Sequence, residues 1–579
     1  MGLAVALPRL QQEIRKAGQT QTMELTFNSP SGVGALGRRA WAGRLTASFV
    51  AAPAVALGTF IIAALNQHAP YDIVAGEAAR VVAGIVPLIA AGVAGLAVLR
   101  PRIGLLAMLL VTPLVDVAQI SWTVGSVQVI DQTLFVVALG LGLLLNELDR
   151  RSSAAAGAAD PACRTYGRPV GADSGLRSRL SLPVVALGAA LAMIAIATLS
   201  TAMSPNVGQS SAVLLHGIVE PFLVAAALIV LRPTRRDLVQ LLIVLSISVA
   251  LGGLMNMIQT IPAMGTIGQM QLDRNRLLFS RITYFNVGLF GEMLAMTTPL
   301  LLALLLAVRK RYLRLPRPVV ALLLAAVPLD VASLFLTFTK SAYLASFGGC
   351  LVLLLLFVHG WRRRSAILLA VTLASAVVIP WPALVLQAAP PLNQAYRSAM
   401  VAVVGQSRFD SWNPSTPTGK GSVMERWYAT QAGIKMAIDH PLLGISLDQF
   451  GTEYAAEYKP AQAHLDLDWA HSMLPEVAAE LGFPALILDL FIYAAAMFVA
   501  WRVYRSPPDR LARLLAAALL ATMVAWQIAG TAFAGDMYRP WRNMASDYVT
   551  MMVLVTAAFA LYRLSLAGRR AGRGMVAAG

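Results

Sequence analysis

What most constrains this chain is the recurrence of apolar stretches, each close to the length needed to cross a lipid bilayer. About fourteen stand out, near 45–65, 81–99, 102–119, 129–146, 182–202, 211–231, 237–259, 284–308, 318–338, 341–358, 365–386, 472–500, 511–533 and 545–564. A helical span needs about 20 apolar residues. Backbone N–H and C=O groups in hydrocarbon must be satisfied within the chain, so each stretch is predicted to be a helix. Composition agrees: 58% of residues are hydrophobic and 13% charged, which excludes an ordinary soluble domain. No period-2 alternation suggests a barrel. The predicted fold class is therefore all-α, a polytopic membrane helix bundle of about 14 spans with one long outer loop carrying short helices.

Charge sets the orientation. The formal net charge is +17, which in a soluble protein would point to nucleic acid. Here the positive-inside rule accounts for it, and no nucleic-acid partner is expected. With the amino terminus inside and sides alternating, the inner loops collect Arg150, Arg151, Arg164, Arg168, Arg177 and Arg179 in one loop. Arg309, Lys310, Arg311, Arg314 and Arg317 fall in another, and Arg362, Arg363 and Arg364 in a third. Both termini are then inside. The expected organisation is an inner tail over 1–44, about 11 spans over 45–386, a large outer loop over 387–470, three last spans over 471–564 and an inner tail over 565–579. The first apolar stretch is of full span length behind a polar, basic lead, so it reads as an uncleaved helix. Cys163 lies in a basic loop and Cys350 within a span, so no disulfide is expected.

Sorting by charge leaves a short outer list: Arg80, Arg274, Arg276, Arg281, Lys340, Arg397, Arg408, Lys420, Arg426, Lys435, Lys459, Arg539 and Arg542. Singly, each reads as a partner for a nearby carboxylate or a lipid phosphate. As a group they suggest more, because topology does not require them. Arg281, Lys340 and Arg542 sit at or beside predicted outer helix ends, where a cation meets a membrane-embedded anion. A diphosphate at the lipid–water boundary fits, since guanidinium forks match phosphate oxygens bidentately.

The outer loop carries its own signals. Ser422-Val423-Met424-Glu425 reads as a capping box. Helix-compatible residues run to Ile438, and Pro441 stops the pattern. Met424, Trp427, Gln431, Ile434 and Ile438 form one mostly apolar face, which predicts an amphipathic helix on the outer surface of the bundle. Arg426 lies off that face, on a flank with Thr430, Gly433 and Ala437 suited to close helix approach. Residues 405–421, rich in Gly, Ser, Pro and Thr, read as loop. His464, Asp466 and Asp468 have no second His/Cys cluster at ligand spacing, so no metal is expected. His471 opens the next span, which also carries Glu476 and Glu480. A lone His at a helix end is usually an interfacial cap. Ionisable residues within a span, however, tend to face the bundle interior or a wet cavity, and imidazole suits general-base work near neutral pH.

Three segments resemble the O-antigen ligase and polymerase superfamily of bacterial membrane glycosyltransferases. One is His471-Ser472-Met473-Leu474 with Glu480-Leu481-Gly482. Another runs from Arg426-Trp427 through Asp439-His440-Pro441-Leu442-Leu443-Gly444 to Phe450. The third is Leu336-Thr337-Phe338-Thr339-Lys340-Ser341, where Lys340 and Ser341 stand in place of the family's usual Arg and Gly. The resemblance covers roughly 280–500. It implies transfer of a glycan from undecaprenyl diphosphate to an acceptor hydroxyl at the periplasmic face of the bacterial inner membrane, without metal or other cofactor. On this reading Arg281, Lys340 and Arg426 hold the diphosphate, with Arg539 and Arg542 as second-tier donors. His471 takes the acceptor's proton in a single displacement that inverts C1, and Glu480 or Glu476 supports it. The acceptor is another lipid-linked glycan for a polymerase, lipid A–core for a ligase, or a protein hydroxyl. About fourteen spans lean towards the polymerase. A transporter or flippase for lipid-linked sugars is the reading from a different class. Against it, no pair of matching broken spans stands out, and the sparse buried charges Glu220, Glu292, Asp330 and Asp489, with His216 one turn before Glu220, read as paired or capping groups.

Overall fold

A chain whose backbone must close its own hydrogen bonds should show long helices with few exceptions, and it does. The computed structural model describes residues 77–115, 121–124, 127–158, 182–260, 287–337, 340–358, 417–531 and 545–577, together with 23–24 and a few single positions between 360 and 398. The bundle helices are α1 (Glu77–Leu99), α2 (Pro101–Val115), α3 (Asp131–Ala158), α4 (Leu182–Ala202), α5 (Val207–Val230), α6 (Arg235–Thr260), α7 (Val287–Arg309), α8 (Arg317–Leu336) and α9 (Lys340–Phe357). After the outer segment's α10 (Pro417–Asp439) and α11 (Phe450–Glu453) come α12 (Met473–Arg505), α13 (Arg510–Thr531) and α14 (Ala545–Ala577). Among the described residues, eight helices are long and apolar enough to cross a membrane, and α1, α2, α3 and α9 contribute shorter apolar stretches. The span expected at 45–65 lies outside the described residues, as does most of that at 365–386, so the total of about 14 stands as an expectation.

The fold is mostly rather than wholly helical. Among the described residues, β2 (Ser121–Val124) pairs antiparallel with β3 (Val127–Ile130), and β1 (Met23–Glu24) pairs parallel with β4 (Leu313–Arg314). The hairpin is a small addition to a fold that is otherwise helical. Val124 lies opposite Val127, so two residues connect the strands, and Trp122, Val124, Val127 and Val129 alternate along it.

Small residues let the bundle close without a hydrophobic drive between helices. A Cβ on Gly349 of α9 would lie 2.9 Å from both Ala525 Cβ and Pro299 Cγ. The Thr522 hydroxyl donates to Met296 O at 3.0 Å, tying α13 to α7. The buried carboxylates include paired ones. Glu220 accepts from the Thr133 hydroxyl and lies 3.0 Å from His216 Nδ1. His216 sits in a π turn, Leu214–Val219, that interrupts α5. Asp489 faces the Tyr548 hydroxyl at 3.4 Å. Cys350 is a free thiol, and Cys163 lies outside the described residues.

The two ends of the bundle differ. At one, Arg235 pairs with Asp509, Arg510 lies over the Tyr312 ring and Arg563 donates to Pro233 O. This end gathers the arginine-rich connections. At the other, residues 441–446 cross α12 where that helix breaks. Ile445 N donates to Ala479 O at 2.8 Å, Ser446 N to Glu480 O at 3.2 Å and Phe483 N to Pro441 O at 2.9 Å. Gly482 has φ 80° and ψ 170°, which divides α12 into a short outer helix and the span proper. The crossing is so close that a Cβ on Gly482 would lie 2.5 Å from Leu442 C, and one on Gly444 would run into the Glu480 backbone. The turn between α4 and α5 closes the joint. Ser200 Oγ donates to Leu443 O at 2.8 Å, Ser446 Oγ to Ser200 O at 2.8 Å and Ser210 Oγ to Leu447 O at 2.7 Å.

Gly482→Ala should be among the most damaging small substitutions in the protein. It adds a side chain in a glycine-only backbone region, about 1–3 kcal/mol by itself, and a backbone clash besides. A thermal melt of the detergent-purified variant is expected to show a marked drop in Tm or loss of the folded peak.

Candidate functional site

Helix α10 begins at Pro417, so the capping box expected at Ser422 falls inside it, as do residues 417–421 of the expected loop. Glu425 does different work. Its carboxylate accepts from His464 N at 2.8 Å and Leu465 N at 3.2 Å, binding the segment that leads to His471 onto α10. The packing face is also not the one with the largest apolar residues. Trp427, Ile434 and Ile438 point outward, Ile438 being 62% exposed, while Ala429, Thr430, Ala432, Gly433, Met436 and Ala437 face inward. The expected close-approach flank of Thr430, Gly433 and Ala437 is thus the docking face. A Cβ on Gly433 would lie 3.0 Å from Ala470 Cβ and 3.2 Å from Pro475 Cβ, so a glycine there favours the close approach of α10 to the start of α12.

Around this contact the outer segment has a small core of its own. Ala429, Ala432, Met436, Phe450, Tyr454, Tyr458, Ala470 and Ala479 pack together. Phe450 stacks on Tyr454 with centroids 5.8 Å apart. The Tyr458 hydroxyl donates to Asp439 Oδ2 at 3.0 Å, and Lys435 Nζ lies 5.2 Å from the Tyr458 ring centre. Burial pushes the Tyr458 phenol up to about 12, helped by the Asp439 carboxylate that its proton serves. Tyr454 also rises to about 12, through burial and then the nearby Glu425 and Asp466 charges. Both phenols therefore keep their protons at neutral pH.

His471 is set on a strained turn. Its φ of 57° is left-handed, unusual for a residue with a Cβ. The residue before it is held at both its backbone groups: Ala470 N donates to Glu476 Oε2, and the Thr430 hydroxyl donates to Ala470 O at 2.7 Å. Glu476 is therefore the carboxylate that shapes the His471 turn. Glu480 lies on the same short helix, nine positions on, roughly 13.5 Å along its axis. The imidazole is 5% exposed. Its Nδ1 lies 3.1 Å from Trp469 Nε1, with ring centroids 4.9 Å apart. An indole N–H only donates, so Nδ1 accepts, and the neutral ring so held carries its proton on Nε2. A histidine in this tautomer offers a donor at Nε2. The general-base role expected from sequence requires the other tautomer.

Arg426 lies one turn before Thr430 on α10 and is half-buried. The joint thus brings Glu476 and Thr430 to the turn that carries His471, with Arg426 on the same helix as Thr430. Arg281, Arg539 and Arg542 lie outside the described residues. For Lys340 the backbone is described and the side chain is not. Lys340 opens α9, which runs against α13 with Gly349 near Ala525, and Gly530 at the far end of α13 touches Met473. Lys340 therefore starts its helix at the same end of the bundle as His471. Two contributors went unnoticed in the sequence. Trp469 carried the signal of an aromatic two residues before the histidine, and Thr430 was read for its size rather than its hydroxyl.

Thr430→Val keeps the shape of α10 but leaves the Ala470 carbonyl without its donor. It is expected to cost about 1–2 kcal/mol in a thermal melt.

Residues 325–490 match the protein family described as O-antigen ligase. The matched segment runs from within α8 to within α12 and contains Lys340, Arg426, His471, Glu476 and Glu480. The match supports the O-antigen ligase superfamily. No curated protein matches the chain.

Proposed function

We propose that this chain, a multi-pass bacterial membrane protein of the O-antigen ligase superfamily, transfers a glycan from an undecaprenyl-diphosphate carrier to an acceptor hydroxyl. What supports the reading is that α10, the helix carrying Arg426, is tied through Thr430 to the turn carrying His471, inside the segment that matches the family. By the charge rule the arginine-rich end lies in the cytoplasm and the joint at the periplasmic face of the inner membrane, with both termini cytoplasmic. A polyprenyl tail then lies among the helices, and its diphosphate meets Arg426 at the outer rim. Lys340, Arg281, Arg539 and Arg542 belong to the same proposed anion site.

The chemistry follows from the side chains. Arg426 offers a planar fork to diphosphate oxygens and counters the charge that builds as the C1–O bond breaks. His471, holding its proton on Nε2 against the Trp469 bond, donates to an anionic oxygen of the donor. The acceptor oxygen attacks C1 from the opposite face, so configuration inverts. The acceptor's proton ends on the released diphosphate, and no metal takes part. Glu476 positions His471 by holding the Ala470 amide, with Glu480 further along the same helix.

The preferred acceptor is the end of another lipid-linked glycan, which makes the protein an O-antigen or exopolysaccharide polymerase. The second reading, a ligase to lipid A–core, is favoured by the description of the matched family. A flippase is separated from both by product chemistry, because only a transferase changes the glycan and releases polyprenyl diphosphate.

Transfer from purified lipid-linked donor tests the roles. His471→Ala and Arg426→Ala are each expected to lower the rate by about 100-fold or more. Arg426→Lys should recover part of it, since charge remains while the fork is lost. His471→Gln, which retains an N–H donor but no base, should stay clearly above His471→Ala. Equal loss in the Gln and Ala variants would return His471 to the general-base role, and full activity in a folded His471→Ala protein would remove it from the site.

A further inference from the structure

The arginine-rich end of the bundle holds a cavity of about 950 Å3, far from the His471 joint in the chain's topology. Its walls are apolar: Leu106 on α2, Ile243 and Ile247 on α6 and Val319 on α8, with Leu99 of α1, Leu143 of α3 and Val230 of α5 completing them. Its rim carries Arg100, Arg102 and Arg236. Two carboxylates face them, Asp237 and Glu147. Asp237 is already engaged: it accepts from Thr234 N and Oγ1, capping α6, and it pairs with Arg102 at 2.9 Å. Arg236 and Glu147 also have contacts of their own, and three guanidiniums against two carboxylates leave the rim cationic on balance.

Depth identifies the class of occupant. From Arg236 at the rim to Ile247 in the wall is eleven positions along α6, about 16 Å. That is close to half of a hydrocarbon core about 30 Å thick, the depth of one leaflet. A polar rim at the headgroup level above an apolar slot one leaflet deep matches a lipid and not a soluble anion. The mouth opens sideways as well, since Val230, which lines it, is 73% exposed on the bundle surface. A volume of about 950 Å3 lies at the upper end of the range for pockets that bury a whole ligand.

We propose that this cavity holds an anionic phospholipid of the inner leaflet, with its phosphate on Arg100 and Arg236 and an acyl chain along Leu106, Ile243 and Ile247. Clusters of basic residues between spans on the cytoplasmic side bind such headgroups by charge. The lipid would fill the space between α2, α6 and α8, bracing the half of the bundle that faces away from the joint.

Native mass spectrometry of the full chain, released from nanodiscs containing equal phosphatidylglycerol and phosphatidylcholine, tests this. The expected result is selective retention of phosphatidylglycerol, cut about tenfold by Arg100→Gln with Arg236→Gln. Val244→Trp, which fills the apolar slot and leaves the arginines in place, should have the same effect. Millimolar inorganic phosphate should not displace the lipid. Equal retention of the two lipids, wild-type retention in both variants, or displacement by inorganic phosphate would each overturn the proposal.

Discussion

Everything at the candidate site hangs on a backbone-to-backbone crossing. Residues 441–446 lie across the break in α12 so closely that peptide groups meet without side chains between them. Gly444 and Gly482 make this possible, one on each strand of the crossing. The same three hydrogen bonds satisfy donors and acceptors freed where α12 stops being helical, which is what a broken helix at the membrane boundary requires. Once the crossing is fixed, α10 must lie against the short outer helix. Gly433 then meets Ala470 and Thr430 reaches the Ala470 carbonyl.

The crossing also explains why two motifs separated in sequence act together. His440-Pro441-Leu442-Leu443-Gly444 and Glu480-Leu481-Gly482 are the two halves of one joint. Their glycines are there for backbone approach and their flanking residues for the turns on either side. The strain gathered nearby, at Ser446, Asp448 and His471 as well as the glycines, is held by bonds from Ser200, Ser210, Gln209 and Glu476. An imidazole on such a turn is preorganised. Its tautomer is set by Trp469 and the residue before it is held at both backbone groups, so the ring has little left to rearrange.

Apolar length made much of the bundle readable. The stretch expected at 182–202 is helix Leu182–Ala202, because a run of apolar residues in lipid has one backbone solution. Arg426 and His471 stood out in the sequence through chemistry that topology did not require. Long-range pairing was not readable. Glu425 looked like half of a local cap, yet its partners are amides about forty residues on. Trp427, Ile434 and Ile438 looked like a docking face, yet small residues won it, since close backbone approach favours Thr430, Gly433 and Ala437. The hairpin Ser121–Ile130 did carry a sign, alternating residues around Val124-Gly125-Ser126-Val127, masked by the apolar stretches on both sides.

The central claim is that Arg426 and His471 meet one diphosphate at the joint. The most direct measurement is a cryo-EM structure of the full chain with a non-hydrolysable lipid-linked donor. The account predicts that the Arg426 guanidinium and His471 Nε2 both lie at hydrogen-bond distance, about 3 Å, from oxygens of the same diphosphate, with the Trp469 bond to Nδ1 intact. A diphosphate bound at the arginine-rich end, or one touching neither residue, would contradict it.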